Sequence, residues 1–111
     1  MFYTSGTQID HELAIDICQF FSSKYSLIKK YDVEVYYSDL SEDGVKGWQE
    51  KNGNEFLIHI HDKIDKEEHI KTLFHELVHC EQDISRPHLT NDEREKEAYK
   101  LEDVYYEEFV S

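Results

Sequence analysis

Thr72-Leu73-Phe74-His75-Glu76-Leu77-Val78-His79 decides how the rest of the chain is read. It holds His-Glu-x-x-His in an apolar frame that reads as a helix. On a helix, His75 and His79 stand one turn apart on the same face, where two imidazoles can grip one metal ion. Glu76 projects about 100° further round. That is too far for a third ligand from this helix and well placed for a water on the metal. Zinc lowers the pKa of water, and a nearby carboxylate can take the proton, so the pattern suits metal-assisted hydrolysis. A chain with this His and Glu content would contain the pattern by chance roughly 0.06 times. The flanking residues strengthen it. At about 100° per residue, Ile70, Leu73, Phe74, Leu77 and Cys80 fall on one broad face. Glu68, Thr72, His75, His79 and Gln82 fall on the other. A helix that buries one side and offers two histidines on the other predicts a metal platform.

Composition limits what surrounds that helix. At 111 residues the chain has room for one domain and a modest core. Hydrophobic residues at 39% and aromatics at 14% argue against disorder. A net charge of -13 argues against nucleic acid and anionic membranes as partners. It is first a device for solubility, and a preference for basic substrates is the weaker implication. Cys18 and Cys80 fall on apolar helix faces and read as buried free thiols, which suits a reducing compartment. Residues Met1 to Gly6 show neither a basic region nor an apolar run, so no signal peptide is expected. The expected location is the cytoplasm. The sequence does not fix an oligomeric state.

Outward from the motif, Asp65 with Glu68 caps its helix, expected to run to about Asp83 before the lone Pro87. Thr90-Asn91-Asp92-Glu93 reads as a capping box that opens a last helix to about Phe109, with Ala98, Leu101, Tyr105 and Phe109 as its core stripe. Before the motif, Glu55 to His61 alternates as a strand, with Phe56, Ile58 and Ile60 on one face and Leu57, His59 and His61 on the other. Asn52-Gly53 marks a hairpin joining it to Val45–Lys51, which carries Trp48. Asp32 to Tyr37 is a β-prone strand and Ser38 to Gly44 a polar loop. Ser5-Gly6-Thr7-Gln8 resembles a capping box for a helix from about Gln8 to Lys24, with Ile9, Leu13, Ile17, Phe20 and Phe21 as its stripe. The expected fold is α+β: an N-terminal helix, a small three-stranded and mostly antiparallel sheet, the motif helix and a C-terminal helix.

Catalytic zinc usually takes three protein ligands. The last helix offers Glu93, Glu95, Glu97 and Glu102, and periodicity leaves Glu95 and Glu97 open, since they flank the apolar stripe on opposite sides. His-Glu-Leu-Val-His at 75 to 79, followed by Glu95-Lys96-Glu97-Ala98, resembles the gluzincin group of metallopeptidases, to which thermolysin belongs. It is particularly similar to their minimal single-domain members among small bacterial and phage proteins. The resemblance covers some 30 residues. In that group the third ligand is a helical Glu, often with a small residue three positions later and Asp or Asn at the fourth. It therefore implies His75, His79 and Glu95 as zinc ligands and Glu76 as general base. Ala98 stands in the small position. Tyr99 departs from the pattern, which leaves its hydroxyl or Glu102 to orient a ligating histidine. The resemblance also implies that Glu55–His61 is the edge strand flanking the cleft, open to an extended peptide by strand addition.

The resulting expectation is a zinc metallopeptidase acting on a peptide or protein. The alternative is a zinc-binding, non-catalytic module of the same fold. Tyr99, Tyr105, Tyr106 and His88 are candidate donors to the oxyanion. The aromatic, acidic C-terminus could also lie across the site and hold the enzyme latent.

Overall fold

The computed structural model of the chain describes residues 1–7 and 10–111. Its regular elements are strand β1 (Phe2–Gly6), helix α1 (His11–Lys24), strands β2 (Asp32–Ser38), β3 (Gly47–Asn52) and β4 (Glu55–His61), and helices α2 (Lys66–Ser85) and α3 (Asn91–Val110). Short 3-10 turns cover Ser26–Lys30 and Ser41–Asp43. The class is α+β, as the periodicities imply.

The sheet corrects the expectation. It has four strands in the order β1-β2-β4-β3, not three. It is mixed, not mostly antiparallel: β1 runs parallel to β2, β2 parallel to β4, and only β3 runs antiparallel to β4. The added strand is the segment that carries the supposed capping box. Ser5 and Gly6 pair with Tyr36 and Tyr37 inside β1, and the Ser5 hydroxyl donates to Glu34 Oε2 at 2.5 Å. The cap of α1 is Asp10, whose Oδ1 accepts from the Leu13 N–H at 2.9 Å. Gln8 and Ile9, the remaining parts of that reading, lie outside the described residues. Parallel strands need a crossover between them, and α1 supplies it. Gly6 makes the exit from β1 possible. Its φ is +95°, and a Cβ there would stand 2.1 Å from the Tyr37 carbonyl oxygen.

The second correction concerns position. β4 is an interior strand between β2 and β3, so β3 is the edge. The Asn52-Gly53 hairpin forms as expected, with Asn52 opposite Glu55 and Gly53 at φ +64°. It folds β3 outward because β4 spends its other side on β2.

The core lies between the sheet and the helices. Val33, Val35 and Tyr37 from β2 and Phe56, Ile58 and Ile60 from β4 form its floor. Ile70, Leu73, Phe74, Leu77 and Cys80 cover that floor from α2, as the helical periodicity requires. Ile17, Cys18 and Phe21 of α1 and Ala98 and Tyr105 of α3 close the sides. Cys18 and Cys80 are buried and free. The acidic C-terminal end of α3 does not lie across the motif. Phe109 packs against Phe20 and Phe74, and Glu108 pairs with Lys24 of α1 at 2.6 Å. Truncation before Tyr105 would therefore open the core, not uncover a site.

One buried pair sets an acid limit on stability. His69 is 3% exposed and its Nε2 lies 2.6 Å from the Tyr37 hydroxyl, which donates to the neutral ring. Burial pushes the His69 pKa down to about 4, with the Asp10 charge opposing and His11 adding to the fall. The unfolded chain protonates this residue near pH 6.5 and the folded one does not. Stability is therefore complete above that pH and falls as pH drops towards 4, by up to about 3 kcal/mol. Chemical denaturation at pH 7 and pH 5 is expected to show a larger acid loss in wild type than in His69→Gln, and equal losses would sink the assignment.

Candidate metal centre

α2 is the central helix, and almost all of its middle is buried. Asp65 starts it by accepting from the Glu68 N–H at 2.8 Å. Both histidines of the motif face α3, not the sheet, and are 8% exposed. α3 begins at the expected capping box: Glu93 N–H donates to Thr90 Oγ1 at 3.2 Å, and Thr90 N–H to Glu93 Oε1 at 2.9 Å.

The two imidazoles converge. His75 Nε2 and His79 Nε2 stand 3.2 Å apart. Glu95 Oε1 lies 2.5 Å from the second and 3.5 Å from the first. Two nitrogens on a tetrahedral zinc at ordinary bond lengths are about 3.3 Å apart. The other ring nitrogens fix the tautomers. Glu102 Oε1 is 2.7 Å from His75 Nδ1, and a carboxylate can only accept there. Gln82 Oε1 is 2.8 Å from His79 Nδ1 and accepts too. The Gln82 amide nitrogen is already spent on the Arg94 carbonyl and Glu97 Oε1, at 3.1 and 3.0 Å. Both Nε2 lone pairs and the Glu95 carboxylate thus point at one place. Three acceptors facing each other repel; a proton on one Nε2 relieves that, and so would a divalent cation held by the two nitrogens and the carboxylate oxygen.

Glu95 and Glu97, which the sequence left open, have separate settings. Glu97 takes Arg86 through both oxygens, at 2.6 and 2.7 Å, and faces away from the imidazoles. That guanidinium, first among the causes, holds its carboxyl below the usual range against the effect of burial. Glu95 faces them. Tyr99 does not replace the Asp or Asn of the gluzincin pattern; Glu102, one turn further on, bonds His75 instead.

Glu76 is 6% exposed beside this cluster. Burial pushes its carboxyl up to about 7; His75 opposes that rise and the charges of Glu95 and Glu102 add to it. A cleft of about 560 Å³ opens over Glu76, His75, His79 and Glu95, walled by β3 residues Gly47, Trp48 and Gln49. At Gly47 strand and helix run close together, since a Cβ there would meet Thr72 Cγ2 at 3.1 Å. Lys46 bridges to Glu68 at 2.7 Å at one end, and Gln49 to Asp83 at 2.9 Å at the other.

Of the four candidate oxyanion donors, Tyr99 lines the cleft, its ring 4.7 Å from that of His75. Tyr105 is buried against Tyr25. Tyr106 bonds Glu67 at 3.2 Å, and His88 lies exposed in the turn before α3. Of the strand histidines, His59 stacks on Trp48. His61 groups with Asp39 and Asp62. There the donors are largely engaged: Asp39 by Lys63 and Ser41, and His61 Nδ1 by the Leu40 N–H.

Gln82 and Arg86 are the supporting residues that sequence reading did not single out. Gln82 does share the helix face of the histidines, three residues after His79, and that spacing was its one signal. Among the described residues no helix is long and apolar enough to cross a membrane. No family model matches the chain, and neither the curated proteins nor the solved structures contain a match to it.

Proposed function

We propose that the protein is a zinc-dependent peptidase of the gluzincin type, acting on peptides or proteins in the cytoplasm. The observation that carries this reading is the convergence of His75, His79 and Glu95 beside Glu76, on the floor of an open cleft. His75, His79 and Glu95 would hold the metal. Zinc, when bound, supplies Lewis acidity, making water acidic and a carbonyl electrophilic. Glu76 takes the proton of the attacking water and returns it to the leaving nitrogen. Glu102 and Gln82 keep the histidine tautomers fixed with Nε2 free. Tyr99, which lines the cleft, would donate its hydroxyl to the developing oxyanion. The free edge of β3 gives an extended backbone something to pair with, which favours peptides over small esters.

Stripping the metal with a chelator is expected to abolish cleavage of a mixed peptide library, and added zinc to restore it. A zinc-loaded protein that cleaves no library member would end the peptidase reading and leave a non-catalytic zinc module.

A further inference from the structure

The sheet face turned away from the helices carries two cross-strand rows. One runs Ser5, Tyr36, His59, Trp48 across β1, β2, β4 and β3. The neighbouring row runs Tyr3, Glu34, Leu57, Glu50. The first is an aromatic strip: His59 stacks on Trp48 with centroids 4.3 Å apart and meets Tyr36 edge-on at 5.9 Å. The second is acidic, and Asp32 and Glu55 extend it one step further. A groove of about 640 Å³ runs over this second row, lined by Tyr3, Asp32, Glu34, Glu50, Glu55 and Leu57 and by Lys51, whose ammonium lies 6.0 Å from the centroid of the Tyr31 ring. Tyr3 and Tyr36 remain 47% and 38% exposed.

The spacing suits one side chain. Residues two apart on a strand share a face and lie about 7 Å apart. Tyr36 therefore has Glu34 at that distance along β2, and Trp48 has Glu50 along β3. Both carboxylates are held in place, Glu34 by the Ser5 hydroxyl and Glu50 by His59 Nε2 at 3.1 Å. A guanidinium lying flat on the aromatic strip would reach a carboxylate with its N–H fork. An ammonium is more strongly hydrated, does not stack flat and makes no fork. Charge removes the other occupants. A second copy would bring the same carboxylates and a further net charge of -13, and nucleic acid or an anionic bilayer would be repelled.

We propose that this outer sheet face is a docking surface for an arginine-bearing segment of a partner protein. It meets the cleft only at Trp48, which borders both, and does not depend on the peptidase reading. Trp48 is the single tryptophan of the chain, so its fluorescence reports from the strip itself. Octa-arginine is expected to bind saturably with a change in Trp48 emission, and octa-lysine several-fold more weakly at equal ionic strength. Glu34→Gln/Glu50→Gln should weaken octa-arginine about tenfold, as should Tyr36→Ala. Glu12→Gln/Glu107→Gln removes the same charge elsewhere and should leave binding nearly unchanged. Equal affinity for the two peptides, or equal losses in the face and control variants, would mean diffuse attraction to an acidic protein and overturn the proposal. Trp48 also borders the cleft. A Trp48 response untouched by Tyr36→Ala and Glu34→Gln/Glu50→Gln would place the peptide there and overturn it too.

Discussion

Glu76→Gln is expected to keep its zinc and lose at least about a hundredfold in turnover, the ordinary worth of a positioned general base. The substitution is nearly isosteric, so the buried wall beside His75 keeps its shape. Glu76 is not among the converging donors, so metal affinity should hold within a few-fold. What disappears is the buried carboxylate next to His75 that is assigned the proton of the attacking water. Having taken the water's proton, the same carboxyl would be the acid that protonates the leaving amine. Zinc content by elemental analysis and cleavage of the wild type's best peptide, measured on the same sample, separate the two properties. A zinc-loaded Glu76→Gln protein with wild-type turnover would end the mechanism.

What the sequence made legible follows the range of each signal. The two long helices announced themselves within a few residues. Caps at Asp65 and Thr90 marked their starts, and Ile70, Leu73, Phe74 and Leu77 recurred with the helical period. The β3–β4 hairpin was equally local, because Asn52-Gly53 fixes a turn without help from the rest of the chain. β1 was not legible for the opposite reason. A parallel strand has no turn to its partner, and five residues ending in Thr4-Ser5-Gly6 offer little apolar alternation. The Ser5-Gly6-Thr7-Gln8 sequence then imitates a capping box, while the cap is Asp10. The order of strands is also non-local: alternation in Phe56, Ile58 and Ile60 says which face is buried and nothing about which strand lies alongside. The edge position of β4 is implied only by the gluzincin resemblance, and the structure gives that position to β3. In the candidate centre, the paired histidines and Glu76 lie on one helix turn and were readable at once. The supporting bonds from Glu102 and Gln82 depend on how α3 is rotated against α2, which no single helix encodes.

That rotation bears on the third ligand, where Glu95→Ala and Glu97→Ala should part company. Glu95→Ala removes a carboxylate that stands 2.5 Å from His79 Nε2. It should lower zinc affinity by more than about a hundredfold, beyond what the loss of an outer partner costs. Glu97→Ala leaves all three donors in place. It frees Arg86 and takes one of the two acceptors from the Gln82 amide that holds His79. Its effect on zinc should therefore stay within about tenfold to a hundredfold. It should instead appear in stability, because Arg86 ties the end of α2 to α3 through Glu97. Competition against a chromophoric chelator, run beside thermal unfolding of the same proteins, distinguishes these outcomes. Greater zinc loss in Glu97→Ala than in Glu95→Ala would overturn the donor set. With Glu95 as ligand, the Arg86–Glu97 pair, together with Arg94–Asp83 at 2.6 Å, helps to fix the turn of α3 that brings Glu95 to the histidines. Arg86→Ala should then weaken zinc without touching any donor.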